Sequence, residues 1–547
     1  MGQFRMRSRA RVRPGARVRS RARAVAVVSA AILAGTALGP AASAGAVPTH
    51  TPAAAVQTAA GTSLRFVDIP GDGGTKLAAN VVTPTGGAPG TRYPVVVLPT
   101  SWAMPQIEYV VPAQKLADKG YVVIGYNSRG FWQSGGEIET AGPKDIADAS
   151  RVIDWALANT PADPGRIGMA GVSYGAGISL LASAFDPRIK AVVAMSGWAD
   201  LIDSIYSGRT EHAQAAALLG GAGFLTGRPS AELTEILQNF LSGNLAKEAE
   251  MLAWGAKRSP ATYLDRINAN GAAIMLGNAW GDSLFPPNQY ADFYGKLTGA
   301  KRLEFRPGDH ATAEAGGLLG LPNDMWADST RWFDHHLRGV DNGIDREQPV
   351  QLKSRTGDAG YEGYPSWPAV PSSTRTIALT GTQRVLANVD SGADGGTIFL
   401  SSILDQFLQV PPVASIPLLP RAFAGVWQSD RYGTQTKVRG TTKLHTTVTA
   451  SHESGTIFAY LYDVGPLGIG KLVTHSPLTF HGKTPGVAFP VDIDMYATAY
   501  DVPAGHRLAV VLDTVDPLYL EHNPFGAGLA FSSPSNDPST VTVPVRD

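Results

Sequence analysis

Residues 166–184, Arg-Ile-Gly-Met-Ala-Gly-Val-Ser-Tyr-Gly-Ala-Gly-Ile-Ser-Leu-Leu-Ala-Ser-Ala, run from a short apolar segment through the pentapeptide Gly171-Val172-Ser173-Tyr174-Gly175 into a run of small apolar residues. The pentapeptide reads G-x-S-x-G. Its front flank has strand character and its rear flank helical character, the context in which this motif is a nucleophile elbow. The glycines allow close approach where a Cβ would clash. The strained turn lifts the Ser173 hydroxyl out of the sheet, where a base can reach it. The helix starting behind Ser173 aims its first N–H groups at the same point, which suits a developing oxyanion.

The alternation continues on both sides. Upstream, SLRFVDIP and KLAANVVTP flank Gly71-Asp72-Gly73-Gly74 and predict a β-hairpin from Leu64 to Pro84. YPVVVL (93–98) and YVVIGY (121–126) are continuous apolar runs of buried parallel strands. Ile146, Ala149, Val152, Ile153 and Leu157 recur at helical spacing between Asp145 and Asn159. Downstream, IKAVVAM (189–195), AAIMLG (272–277) and KRLEF (301–305) add strands, and a closing helix runs from about Asp324 to Leu337. Strands alternating with helices give an α/β class with a parallel sheet covered on both faces. Residues 200 to about 268 are helical without a strand, as expected of a cap inserted over the sheet. The catalytic domain is thus expected at 63–340, followed by a linker near 339–349. Beyond it Thr, Val, Gly and Pro dominate, and short alternating segments such as KLHTTVTA and RLAVVLDTV predict an all-β sandwich over 350–547.

The N-terminus is of another kind. Nine arginines and no acid precede an apolar stretch from Ala24 to Leu38, which ends in the A-x-A sites Ala42-Ser43-Ala44 and Ala44-Gly45-Ala46. That order predicts a secretory signal peptide over 1–46 and a secreted, extracellular protein. Residues 47–62, rich in Pro, Ala and Thr, are expected to be a disordered tail. The whole chain balances 46 basic against 46 acidic residues, but removal of 1–46 leaves 37 against 46. A mildly acidic mature chain argues against nucleic acid as a partner. No cysteine is present, so a disulfide, a cysteine nucleophile and a lipidated cysteine are excluded. No later apolar run reaches the length of a membrane span.

An activated serine needs a base, and the base an orienting acid, in the chain order Ser, Asp, His for this kind of sheet. Asp282 leaves the strand AAIMLG and His310 leaves the strand KRLEF, both after Ser173 and in that order. The predicted triad is therefore Ser173, Asp282 and His310. Asp309 is the competitor of Asp282, but it adjoins His310, and neighbouring side chains rarely meet productively. For the oxyanion hole the sequence offers the Tyr174 N–H and a second donor from the loop after YPVVVL, Ser101 or Trp102. Trp132, Trp280 and Phe285 stand near strand exits and are candidates for an apolar substrate pocket, with packing as their other reading. No metal constellation, P-loop or dinucleotide fingerprint stands out, so no cofactor is expected.

The combination resembles the cocaine esterase / X-prolyl dipeptidyl-peptidase family of α/β-hydrolases across nearly all of the chain after the signal. The residues that carry it are Asp72-Gly73-Gly74-Thr75-Lys76-Leu77, Tyr126-Asn127-Ser128-Arg129-Gly130, Ser134-Gly135-Gly136, the elbow, Trp280-Gly281-Asp282, Asp309-His310, Ser366-Trp367-Pro368 and SGTIFAYLYDV at 454–464. The resemblance implies an α/β-hydrolase core with a helical cap, then a C-terminal jelly roll. It also implies Ser173 as nucleophile, Asp282 as acid, His310 as base and the Tyr174 amide in the oxyanion hole. Two departures stand out. Asn127 occupies a position where the family usually has Asp, and Pro99-Thr100-Ser101-Trp102 lacks the tyrosine that often supplies the second oxyanion donor. The expected function is a secreted serine hydrolase of small esters or short peptides, with X-Pro dipeptidyl-peptidase activity as one form. The alternative is a non-catalytic cell-wall or glycan-binding protein working through its β-sandwich.

Overall fold

The computed structural model describes residues 56–58, 61–356, 360–408 and 410–546. The expected signal peptide, 1–46, lies outside the described residues, as does most of the expected tail to 62. The end of that tail joins the fold. β1 (Val56–Thr58) pairs antiparallel with Thr62–Leu64 of β2 (Thr62–Pro70), because Gly61, at φ 77°, turns the chain back.

β2 forms the expected hairpin with β3 (Lys76–Pro84), with Thr62 opposite Pro84. β4 (Tyr93–Pro99), β5 (Val122–Tyr126), β6 (Ala162–Val172), β7 (Ile189–Met195), β8 (Ala273–Ala279) and β9 (Lys301–Arg306) follow. In space the order is β1-β2-β3-β5-β4-β6-β7-β8-β9, continued by β10 (Val350–Leu352) and β11 (Glu362–Tyr364). The pairs from β5 to β10 are parallel. The chain places β5 on one side of β4 and β6 on the other, so the connections diverge between the carboxyl ends of β4 and β6. Such a switch point opens a crevice where ligands bind.

The strands alternate between two cores. Val95, Val97, Val122, Ile124, Met169 and Val192 face one, with α2 (Pro143–Asn159) and α3 (Tyr174–Phe185). Val96, Leu98, Val123, Ala170 and Val193 face the other, with α1 (Val110–Asp118) and α11 (Asp324–Arg338). Burial on both faces is what made these segments read as unbroken apolar runs. The 200–268 insertion contains α4 (Leu201–Ile205), α5 (Ala213–Thr226), α6 (Ala231–Leu241), α7 (Glu248–Ala256) and α8 (Leu264–Asn270) between β7 and β8. α9 (Asn288–Lys296) and α10 (Thr312–Leu318) flank β9.

The expected boundary near 350 falls later. β10 (Val350–Leu352) pairs parallel with β9, and β11 (Glu362–Tyr364) pairs with β10, so the first sheet extends to Tyr364. The apolar side chains of Val350 and Leu352 are buried on the edge that β9 would otherwise leave open. From Ser373 to Arg546 the chain builds an all-β domain of one eight-stranded and one five-stranded sheet with antiparallel pairing. The strand Gly455–Val464 sends Ile457, Ala459 and Leu461 into the core between these sheets and Phe458, Tyr460 and Tyr462 into a second core behind. A helix absent from the sequence expectation, α12 (Leu400–Leu408), interrupts the β domain. The insertion is tied to this domain by Glu211–His522 (2.8 Å), Thr210–Thr479 (2.8 Å) and Ser207–Tyr496 (2.7 Å). Among the described residues no helix is long and apolar enough to cross a membrane.

Candidate active site

Ser173 sits at φ 58°, ψ −118°, between the end of β6 and the first turn of α3. The flanking glycines explain how this turn is reached. A Cβ on Gly171 would stand 2.4 Å from the Gly175 carbonyl carbon, and one on Gly175 would stand 2.1 Å from the Pro99 carbonyl oxygen. Both contacts are with backbone, so a larger residue forces the strand and helix apart. The Ser173 N–H is anchored on the Met195 carbonyl of β7 (2.9 Å).

The exits of β8 and β9 bring Asp282 and His310 to the serine. His310 Nε2 lies 2.8 Å from Ser173 Oγ, and His310 Nδ1 lies 3.2 and 3.1 Å from the two Asp282 oxygens. Asp282 Oδ1 also accepts the N–H groups of Leu284 (3.0 Å) and Phe285 (2.8 Å), which hold the carboxylate in place. Burial opposes charge on His310, but the negative potential of Asp282, with Asp309 and Glu314, outweighs it and raises the His310 pKa above its ordinary value. Asp309 turns away from the imidazole. Its Oδ1 accepts from the Ser283 N–H and hydroxyl (2.8 Å each) and from the His310 N–H (2.6 Å). Asp309 therefore holds the β8 exit turn against the His310 backbone.

Of the two expected second oxyanion donors, Ser101 is corrected. Its N–H donates to Glu108 Oε2 (2.8 Å), and its hydroxyl lies 2.6 Å from Glu108 Oε1 and 3.0 Å from the Val172 carbonyl. A hydroxyl has one proton, so both contacts are satisfied when Glu108 is protonated and donates. Burial pushes that carboxyl up to about 7, which favours this arrangement. The physical reason for the engagement is the divergence of β4. Its pairing with β6 stops at Met169, which leaves Val172 without a strand partner on that side. Ser101 takes the Val172 carbonyl and the Tyr109 hydroxyl accepts the Val172 N–H (2.9 Å). The backbone N–H of Trp102 has no acceptor among the described residues, and its ring stands edge-on to Tyr174, with centroids 5.2 Å apart. The Tyr174 N–H opens α3 and has no carbonyl a turn earlier to bond.

Asn127, the departure from the family pattern, holds this loop. Its amide donates to the Met104 carbonyl (2.7 Å) and to Thr100 Oγ1 (3.2 Å), and its oxygen accepts the Gln106 N–H (3.0 Å). An aspartate lacks the donors. The neighbouring motifs meet at one ion pair. Arg129 grips Asp148 through Nε (2.8 Å) and Nη2 (2.7 Å), and Asp148 accepts the Asp72 N–H (2.7 Å).

The three expected pocket residues divide. The Phe285 ring lies 5.1 Å from the His310 ring, edge-on. Trp132 is 40% exposed, and its indole N–H donates to the Ala103 carbonyl (2.9 Å), beside Trp102 in the loop after β4. Trp280 packs against Phe305 (4.8 Å), its indole N–H donates to the Lys353 carbonyl (2.8 Å), and it lines a cavity shared with Asp282, Ser283 and Arg355 on the side of the β domain. Sequence reasoning missed Phe399. It reaches back from the β domain, just before α12, to within 6.4 Å of the His310 ring. No local sequence signal marks it, because it lies in another domain. Among the described residues no group of three or more His, Cys, Asp or Glu could hold a metal.

Residues 72–312 match the family model described as X-Pro dipeptidyl-peptidase (S15 family), and residues 432–538 match that of the X-Pro dipeptidyl-peptidase C-terminal non-catalytic domain. The chain is 23% identical over 462 residues to the "Putative Xaa-Pro dipeptidyl-peptidase" of Bacillus anthracis, spanning 78% of this chain and 73% of that protein. It is 23% identical over 479 residues to the protein of the same name in Streptomyces avermitilis, spanning 73% and 68%. Among solved structures, that of an alpha-amino acid ester hydrolase superposes with a TM-score of 0.68 at 16% identity, covering 91% of this chain and 98% of that one, a likeness of fold.

Proposed function

The chain belongs to the cocaine esterase / X-Pro dipeptidyl-peptidase family of α/β-hydrolases and is a serine hydrolase, and we propose that it is exported and cleaves small acyl esters or short peptides through an acyl-enzyme on Ser173. The observation that carries this reading is the hydrogen-bonded line from Ser173 Oγ through His310 to Asp282. Asp282 accepts the Nδ1 proton, which leaves Nε2 free to accept from the serine hydroxyl. As Oγ attacks the carbonyl carbon, its proton passes to Nε2 and the C=O electron pair moves onto oxygen. The Tyr174 and Trp102 N–H groups receive that oxyanion. The tetrahedral adduct collapses, the leaving group takes the proton from Nε2, and Ser173 is acylated. Water then repeats the sequence and frees the acid. Phe285 and Phe399 beside His310 give the reacting bond an apolar surround that favours compact, uncharged acyl groups.

Two relatives are named Xaa-Pro dipeptidyl-peptidases, and that activity is part of this proposal. A panel of p-nitrophenyl acyl esters of rising chain length beside Gly-Pro and Ala-Pro anilides tests it. Turnover of the short esters is expected, and release from the anilides marks the dipeptidyl-peptidase form. Failure on every member of the panel by folded protein ends the reading. Export rests on the arginine run, the apolar stretch and the A-x-A sites of residues 1–46. Protein recovered from the medium of a secreting host is expected to begin just after Ala44 or Ala46 on N-terminal sequencing. An intact Met1 on exported protein contradicts it.

A further inference from the structure

We propose that Asp145 is a positioning residue for the oxyanion hole, acting through the Tyr174 phenol; this rests on the reading of Ser173 as the nucleophile. Tyr174 follows the nucleophile, so one residue carries both an oxyanion N–H and a long side chain. That side chain is buried and ends on two partners. Its hydroxyl donates to Asp145 Oδ2 (2.7 Å) and accepts the Ala141 N–H (2.8 Å). Between its two ends the ring is held by Trp102 (5.2 Å, edge-on), Phe131 (6.0 Å, edge-on) and Trp198 (6.2 Å, tilted). Trp102, whose backbone N–H is the proposed second donor, has its indole N–H fixed on the Leu219 carbonyl of α5 (2.8 Å). One phenol ring therefore packs against the indole of Trp102 while its own backbone carries the N–H that follows the nucleophile.

The cost of the arrangement indicates its purpose. Asp145 is 1% exposed and makes no ion pair among the described residues, and burial pushes its carboxyl up to about 7. A phenylalanine in the same aromatic cage, over an apolar residue on α2, would pack without burying a carboxylate. The anchoring is also rigid at its far end. Asp148, one turn on along α2, is clamped by Arg129. On the acceptor side, Thr140 and Ala141 both sit at φ 54°, so the loop that gives the Ala141 N–H to the phenol is held in a strained form. Strain and buried charge together fix where the ring ends, and hence where the Tyr174 backbone begins.

The test uses the full chain with p-nitrophenyl acetate, reading kcat, KM, Tm and the rate of labelling by a fluorophosphonate. Tyr174→Phe keeps the ring and the cage and removes the tether. Asp145→Ala removes the acceptor, and Asp145→Asn keeps an acceptor oxygen. Tyr174→Phe and Asp145→Ala are expected to lose about 10- to 100-fold in kcat with KM within about twofold, because an amide displaced by a fraction of an ångström fails in the transition state. The labelling rate should fall in step, since phosphonylation builds charge at the same hole. Asp145→Asn should recover most of the loss. The proposal is overturned if Tyr174→Phe, melting as the parent does, keeps kcat within about twofold. It is also overturned if Asp145→Asn falls as far as Asp145→Ala, or if KM moves and kcat does not. If Asp145→Ala fails to fold, Tyr174→Phe decides alone. An active Ser173→Ala overturns this inference together with its premise. An inactive Ser173→Ala beside an unaffected Tyr174→Phe overturns this inference only.

Discussion

Replacing Ser173 by alanine is expected to lower kcat on p-nitrophenyl esters by about a million-fold and to abolish labelling by a fluorophosphonate, with the fold unchanged. The substitution isolates the hydroxyl. Alanine keeps the Cβ, so the strain of φ 58° at the elbow is the same before and after. The backbone tie of residue 173 to the Met195 carbonyl does not involve the side chain. What disappears is the oxygen 2.8 Å from His310 Nε2, the atom proposed to form the covalent intermediate. A residual rate over water is expected from the proposed oxyanion donors and from bound substrate. The measurement is turnover and active-site labelling beside a thermal melt. Undiminished labelling of Ser173→Ala would place the nucleophile elsewhere. A large fall in Tm would mean that the hydroxyl supports the elbow and not the chemistry.

The elbow was legible in the sequence because its constraints are local. Gly171 and Gly175 meet each other and Pro99 within a few residues or one neighbouring strand, and a continuous apolar run marks the strand before them. Asp282 and His310 were legible for a related reason: each stands where a buried strand ends, and strand ends converge at one edge of a parallel sheet. The misreadings share the opposite property. Ser101 looked available because its partners, Glu108 and the Val172 carbonyl, meet it only after β4 and β6 diverge. Trp280, two residues before Asp282, lines a cavity with it, but its ring also packs on Phe305, a contact the sequence does not show. Phe399 belongs to a loop that no pattern ties to His310, since only the docking of two domains brings them together. β10 and β11 fall within the span expected of the β-sandwich, because strands of three residues are too short for their pattern to show which sheet they join. Chemistry at strand ends is written in sequence order, whereas contacts made by docking are not.

Asp282→Asn is expected to lower kcat by about 10⁴-fold while leaving the fold intact, and Asp309→Asn to cost far less. The two carboxylates are the close alternatives in the sequence, and their geometry separates them. Asp282 faces the imidazole through both oxygens. Asp309 spends Oδ1 on three donors and makes no hydrogen bond to the ring. An asparagine at 282 presents an N–H₂ that favours the wrong imidazole tautomer, with the proton on the nitrogen that should accept from Ser173. At 309 burial already pushes the carboxyl up to about 6, so the neutral amide is close to a form that the site accepts. The pH profile adds a second reading. Catalysis needs neutral His310, so kcat/KM falls as pH drops through the His310 pKa, which lies above the ordinary 6.5. Asp282 is the strongest influence holding it there, ahead of Asp309 and Glu314. Removing its charge should move the acid limb of Asp282→Asn to lower pH, and Asp309→Asn should move it in the same direction by less. The larger loss falling on Asp309→Asn, or an acid limb that stays put in Asp282→Asn, would assign the orienting acid to Asp309 and require the β9 exit loop to rearrange before Ser173 can react.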